Sequence, residues 1–151
     1  MTGPVICGVD DSSETVSAAS VARELARRYE LPLLYVHVLD AHGHSEDAEQ
    51  LLRDLAAQTP AGLAIESGHP ADRLVALARE RQASFLVLGN HGPRSSLLGS
   101  ISADVSRRAP CPVVVVPPTA EPAVPQAAIS EPEVKGGIVR FAVGHAVRRV
   151  A

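Results

Sequence analysis

The sequence predicts a doubly wound α/β fold built on a parallel sheet. Short apolar runs alternate with helical patterns along the chain, which is the order that successive strand–helix–strand units require. The apolar runs are continuous rather than alternating with polar residues, as is typical of strands buried on both faces. The chain has 151 residues, so it can bury one core of ordinary size without a disulfide or a metal.

The first predicted unit is a strand, a helix and a second strand. Residues 5–9 form a short β-rich run, and residues 33–39 form another directly after Pro32. Asp11 is placed to cap the helix between them, with Glu14 three residues later as its capping-box partner. The residues that recur at helical spacing in this helix are Val16, Ala19, Ala22 (or Arg23), Ala26 and Tyr29.

The same pattern repeats along the rest of the first 117 residues. Pro70 is expected at the first position of a helix, where its missing N–H is not needed. The further predicted elements are a helix over 46–58, a strand over 63–67, a helix from Pro70, a strand over 85–88, a helix over 100–108 and a last strand over Val113–Val116.

The composition changes after residue 117. Five of the twelve prolines lie from Pro117 onward, and this density predicts an extended linker rather than a helix or a central strand. We therefore expect one domain over residues 1–117, followed over 118–151 by a Pro-rich linker and a basic, apolar tail. Residues 138–143 of the tail fit a strand. A helix fits equally well, with a stripe of Val139, Val143, Val147 and Val150.

Charge and composition argue against two kinds of partner. The net charge of −3 and an aromatic content of 3% argue against nucleic-acid binding, which needs clustered cations or stacking platforms. No apolar run approaches the roughly 20 residues that cross a bilayer, and the N-terminus lacks the basic region of a signal peptide. We expect a cytoplasmic protein without membrane contact, with Cys7 and Cys111 as free thiols.

Three segments follow predicted strands and should meet at the carboxyl edge of the sheet, where open α/β sheets bind ligands. They are residues 8–10, 38–40 and 89–102. In the last segment Gly89 and Gly92 follow a strand, and Gly99 precedes a helix, which together can form a cradle for phosphate. An ordinary turn is the alternative. His42 and His44 share one predicted loop without a second group of ligands, so no metal site is expected.

Five short segments carry a resemblance to a known family. They are ICGVDDS at 6–12, YVHV at 35–38, VLGNHG at 87–92, LLGSIS at 97–102 and RAPCPV at 108–113. In these motifs and their order, over about residues 3–117, the chain resembles the universal stress protein family. The resemblance implies a Rossmann-like fold of the adenine nucleotide alpha hydrolase type, with five strands in the order 3-2-1-4-5. It also implies a homodimer, a role in stress response or signalling, and ATP binding in some members.

The resemblance also implies which residues would hold ATP, with magnesium only as a companion of the nucleotide. Those placed near the ribose and base are Gly8, Val9, Asp10 and Val38, the last through its backbone. Those placed along the nucleotide are Leu88, Gly89, His91 and Gly92. Those placed at the phosphates are Gly99, Ser100, Ile101 and Ser102.

One departure from the family pattern opens an alternative function. Six residues separate Gly92 from Gly99, three fewer than in the family's nucleotide-binding motif, although Arg94 adds a positive charge there. The leading hypothesis is therefore an ATP-binding module, and the alternative is a nucleotide-free dimeric interaction module that has lost ATP binding through this short loop. In either case Val113–Val116 would be an exposed apolar edge strand that pairs with a second copy.

Catalytic residues are not expected. Ser95 and Ser96 lack the G-x-S-x-G pattern of a nucleophile elbow, and neither cysteine has a catalytic context. Any ATP hydrolysis should be very slow.

Overall fold

The computed structural model describes residues 1–39, 41, 44–90 and 98–117, together with the backbone of three strands between residues 133 and 150. The strands of the main sheet are β1 (Val5–Gly8), β2 (Leu33–Leu39), β3 (Gly62–Ser67), β4 (Phe85–Gly89) and β5 (Val113–Val116). The helices are α1 (Glu14–Tyr29), α2 (Ser45–Ala56), α3 (Pro70–Glu80) and α4 (Ser100–Arg108).

The five strands are all parallel and lie in the order β3-β2-β1-β4-β5. Val5 of β1 is level with Leu33 on one side and with Phe85 on the other. Helices α1 and α2 pack on one face of the sheet, and α3 and α4 pack on the other. The predicted fold class and strand order are confirmed.

Side chains of the central strands enter two separate hydrophobic layers. In β1, Val5 and Cys7 pack under α1 and α2, whereas Ile6 packs under α3 and α4. In β2, Tyr35 enters the α1–α2 layer and is the largest fully buried side chain, while Val36 enters the other layer. Both faces of these strands are apolar because both are covered, which explains the continuous apolar runs in the sequence.

The buried stripe of α1 differs from the predicted one. Its buried residues are Thr15, Ala18, Ala19, Ala22 and Ala26. Val16 and Tyr29, which helical spacing assigned to the buried face, are 67% and 53% exposed. The stripe consists mainly of alanine, because small side chains let the helix backbone lie close to the sheet, while the larger Val21 and Leu25 are partly buried against the same core.

The start of α1 also differs from the prediction. The residue at the N-cap is Ser13, and no side-chain hydrogen bond caps the helix there. Asp11 was expected at that place, so this part of the prediction is wrong. The turn before α1 is held instead by Asp10, as described below.

Three further strands lie in the C-terminal segment: β6 (Glu133–Lys135), β7 (Ile138–Val143) and β8 (Ala146–Val150). They form an antiparallel sheet in the order β6-β7-β8. Of the two predictions for residues 138–143, the strand is confirmed and the helix is wrong. The predicted linker over 118–132 lies outside the described residues. Within the described part of the chain, no helix is both long enough and apolar enough to cross a membrane.

Because α1 lies close to the sheet, we expect a leucine to destabilise the protein at a buried position of this helix but not at an exposed one. Ala22 is fully buried, so Ala22→Leu should lower the free energy of unfolding by about 1–3 kcal/mol through overpacking. Val16→Leu introduces the same side chain on the same helix at an exposed site and should change it by less than about 0.5 kcal/mol. Urea denaturation of both variants measures the difference, and equal effects would contradict the packing described for α1.

Candidate functional site

A cavity of about 310 Å³ lies at the carboxyl edge of the sheet, on the face covered by α3 and α4. Its floor is formed by the ends of β1, β2 and β4, and its walls by the first turns of α3 and α4. The lining residues are Gly8, Val9, Asp10, Val36, Val38, Pro70, Leu74, Leu88, Gly89, Gly99, Ser100, Ile101 and Ser102.

The structure brings ten of the twelve site residues predicted from the sequence to this one cavity. They are Gly8, Val9, Asp10, Val38, Leu88, Gly89, Gly99, Ser100, Ile101 and Ser102. The other two, His91 and Gly92, lie outside the described residues. Three segments far apart in sequence therefore meet at one place, and whether that place binds a nucleotide is taken up below.

Three lining residues were missed by the sequence analysis: Val36, Pro70 and Leu74. Val36 is two residues before Val38, so it lies on the same face of β2. Pro70 and Leu74 belong to the first turns of α3, which begins just after β3 ends at the same edge of the sheet. The signal for Pro70 was its place at a helix start directly after a predicted strand.

Gly8 leaves room for the cavity because it has no side chain. A Cβ built on Gly8 would lie 2.7 Å from Cδ2 of Leu88 and 3.3 Å from Cδ1 of Leu74. Both leucines line the cavity, so any side chain at position 8 would enter the space between them. Gly89 differs, because its Cβ would meet Glu14 of α1 at 3.0 Å, on the other side of the sheet.

Asp10 organises the turn between β1 and α1 at the rim of the cavity. Its Oδ1 accepts hydrogen bonds from the backbone N–H of Ser12 at 3.0 Å, from the Ser12 hydroxyl, and from the Thr15 hydroxyl at 2.9 Å. The backbone N–H of Asp10 donates to Oγ1 of Thr15 at 2.9 Å. Asp10 and the buried Thr15 therefore fix the end of β1 to the first turn of α1, in the place of a helix cap.

His37 supports the same end of β1 from the neighbouring strand. Its Nδ1 lies 2.9 Å from the carbonyl oxygen of Val9, and the N–H of Val9 donates to the carbonyl of Val36 at 2.9 Å. His37 is half-buried in β2, and its contact with Val9 is a structural one.

The first turn of α4 presents backbone donors to the cavity. Gly99 is the N-cap residue and supplies no side-chain hydrogen bond to the helix. In any α-helix the N–H groups of the first turn have no acceptor within the helix, and here they belong to the lining residues Ser100, Ile101 and Ser102. The partial positive charge of a helix N-terminus adds to these donors. This wall of the cavity therefore suits an anionic group.

The remaining polarity of the site is sparse. Among the described lining residues, Asp10 is the one ionisable side chain, and Val36, Val38, Leu74 and Leu88 make the opposite walls apolar. Within the described residues, no group of three histidine, cysteine, aspartate or glutamate side chains could hold a metal ion. The cavity can enclose a flat apolar group. Beside that group, Asp10 can accept a hydrogen bond from a hydroxyl, and the N-terminus of α4 suits an anion.

Cys7 lies directly before Gly8 but faces the α1–α2 layer. Burial raises the pKa of its thiol to about 12, an effect opposed by the charge of Arg23 and increased by that of Asp10. A thiol with so high a pKa is not a nucleophile at neutral pH.

The fold and the cavity together define a class: a doubly wound α/β protein with a ligand-sized cavity where the strand order reverses. The chain belongs to the universal stress protein family, whose sequence profile matches residues 1–117. It is similar to a universal stress protein from Mycolicibacterium smegmatis, with 32% identity over 136 residues. This match covers 76% of the present chain and 46% of that protein, so the chain spans about half the length of this curated relative.

Two solved structures of the same fold hold adenine nucleotides. One is a universal stress protein in complex with cAMP, with 26% identity and a TM-score of 0.65 over 76% of this chain and 96% of that one. The other is the universal stress protein from Archaeoglobus fulgidus in complex with dAMP, with 26% identity and a TM-score of 0.58. The second match covers 76% of this chain and 97% of that one.

The buried thiol of Cys7 predicts a loss of stability at alkaline pH. Its folded pKa of about 12 lies above the unfolded value of about 8.5, so the protonated thiol stabilises the fold at neutral pH. As the pH rises from about 8.5, the unfolded chain releases this proton first and the stability falls. Urea midpoints measured across this range should fall more steeply for the wild type than for Cys7→Ala. Parallel profiles for the two proteins would contradict the assignment.

Proposed function

We propose that the cavity binds an adenine nucleotide, with ATP as the nucleotide, and that the chain acts through it as a module in stress response or signalling. The observation that carries this proposal is the pairing of apolar walls with the N–H groups of Ser100, Ile101 and Ser102 at the start of α4, in one cavity of about 310 Å³. Two relatives of the same fold hold cAMP and dAMP, which supports adenine as the base.

In the proposed complex each wall has a separate role. The adenine ring lies against the apolar side chains of Val36, Val38 and Leu74. Asp10 accepts a hydrogen bond from a ribose hydroxyl, since a carboxylate is a strong acceptor. The innermost phosphate lies at the N-terminus of α4, where backbone N–H groups and the helix dipole favour negative charge.

The described residues of the cavity account for the inner part of an ATP molecule. A volume of about 310 Å³ is at the lower end of the range for ligand pockets, roughly 300–1,000 Å³, and suits a nucleoside with one phosphate. We propose that the outer phosphates extend toward the segment between Gly92 and Gly99, where the sequence has Arg94. Magnesium is proposed only as a companion of these phosphates, and no catalytic residue is proposed.

Calorimetric titration with ATP, AMP and GTP tests the proposal. ATP and AMP should bind at or below millimolar concentration. GTP should bind about tenfold more weakly or worse, because its base exchanges the donors and acceptors that an adenine site is built to meet. If neither adenine nucleotide binds at millimolar concentration, the proposal is wrong and the nucleotide-free interaction module takes its place.

A pair of valine substitutions localises the binding. Gly8→Val puts a side chain between Leu88 and Leu74 and should weaken AMP and ATP binding at least about tenfold by filling the cavity. Gly62→Val is the matched control, because Gly62 starts the edge strand β3 at the opposite end of the sheet. Circular dichroism melts show whether both variants fold. Unchanged affinity in a folded Gly8→Val protein would place the ligand elsewhere.

We also propose that two copies pair along β5, which is at the edge of the five-stranded sheet. The carbonyls of Pro112 and Val116 accept hydrogen bonds from Leu86 and Asn90 on the β4 side. Because backbone direction alternates along a strand, the N–H of Val115 points to the open edge instead.

Light scattering of the wild type and of Val115→Pro tests this pairing. The wild type should have the mass of a dimer at micromolar concentration. The proline removes the outward N–H but no bond to β4, so the variant should be a folded monomer. A wild-type monomer, or a Val115→Pro dimer, would contradict pairing along β5.

A further inference from the structure

Asn90 joins the three elements that meet beside the cavity, although it does not line the cavity itself. It follows β4, and its backbone N–H donates to the carbonyl of Val116 in β5 at 2.9 Å. Its side-chain oxygen Oδ1 accepts the backbone N–H of Gly99, the N-cap residue of α4, at 3.0 Å. The N–H of the N-cap residue is therefore satisfied by a residue nine positions earlier in the chain.

For a bound anion, the charge of this acceptor is more important than the hydrogen bond that it makes. An aspartate at this position has a carboxylate oxygen that can accept the same N–H, so the hydrogen bond alone does not favour the amide. A carboxylate at this place would set a full negative charge against the positive end of α4. It would then compete with any anion that the first turn of α4 binds. The amide oxygen takes one N–H and leaves the electrostatic potential of the helix end almost unchanged.

We propose that Asn90 is a specificity-determining residue, which selects ligands with a phosphate by capping α4 with a neutral oxygen. This inference rests on the proposed function, because it takes the phosphate of an adenine nucleotide as the anion at α4. The first turn of α4 itself has no acidic residue. Asp10, the ionisable side chain among the described lining residues, belongs to the β1–α1 turn rather than to this helix.

The test compares a charged and an uncharged ligand that share one base. Adenosine and AMP are titrated into the full-length wild type, Asn90→Asp and Asn90→Ala. Asn90→Asp keeps an acceptor for Gly99, so its Tm should equal or exceed that of the wild type and its adenosine affinity should be unchanged. Its AMP affinity should fall about tenfold, and the loss should shrink at high salt because it is electrostatic.

Asn90→Ala separates the structural role from the electrostatic one. It removes the acceptor without adding charge, so it should lower the Tm and weaken adenosine and AMP by the same factor. Gln58→Glu makes the same amide-to-carboxylate change on an exposed residue beyond α2, and it should leave the ratio of AMP to adenosine affinity unchanged.

The outcomes separate the two proposals. If the wild type binds adenosine and AMP, and Asn90→Asp keeps the wild-type ratio of the two affinities, the inference about Asn90 is wrong while the proposed function holds. If the wild type binds neither ligand, both are wrong. A loss confined to AMP in Asn90→Asp, with its Tm maintained, supports the inference.

Discussion

The central position of β1 is the constraint on which the rest of the structure depends. It pairs with β2 on one side and with β4 on the other. The chain reaches β2 from β1 through α1 on one face of the sheet, and it reaches β4 from β3 through α3 on the opposite face. The carboxyl end of β1 is therefore the point where the strand order reverses, and connections diverge from it. A crevice must open there, and in this chain Gly8 keeps it empty of side chains.

The two faces of the sheet are packed with different kinds of side chain. On the α1 face, the buried alanines let a helix of 16 residues lie close against the strands, and Tyr35 fills the space beside it. On the α3–α4 face, leucine and valine side chains pack the centre, and Val36, Leu74 and Leu88 of the same layer also line the cavity at the carboxyl edge. The hydrogen bonds of Asp10 with Ser12 and Thr15 join the end of β1 to the start of α1.

The sequence predicted the fold well because β1 and β2 are apolar on both faces and because strand and helix patterns alternate regularly along the chain. It predicted the buried Ala19, Ala22 and Ala26 of α1, but helical spacing did not exclude Val16 and Tyr29 from the same stripe. Most of the cavity followed from where strands end, whereas Leu74 enters through the orientation of α3, which no local pattern encodes. The sequence could not predict the contact of Asn90 with Gly99 either, because it is a tertiary hydrogen bond.

The contact of Asn90 with Gly99 means that the position of α4 does not depend only on the short segment between Gly92 and Gly99. Asn90 and Gly99 are joined directly by a hydrogen bond, and Ser102 donates to the carbonyl of Gly89 at 3.3 Å. The start of α4 is therefore attached to the end of β4 by bonds that do not involve the intervening residues. A segment three residues shorter than the family's nucleotide-binding motif leaves the N-terminus of α4 in position. In the complex proposed above, β1, β4 and α4 therefore hold the inner part of the nucleotide whatever the length of that segment.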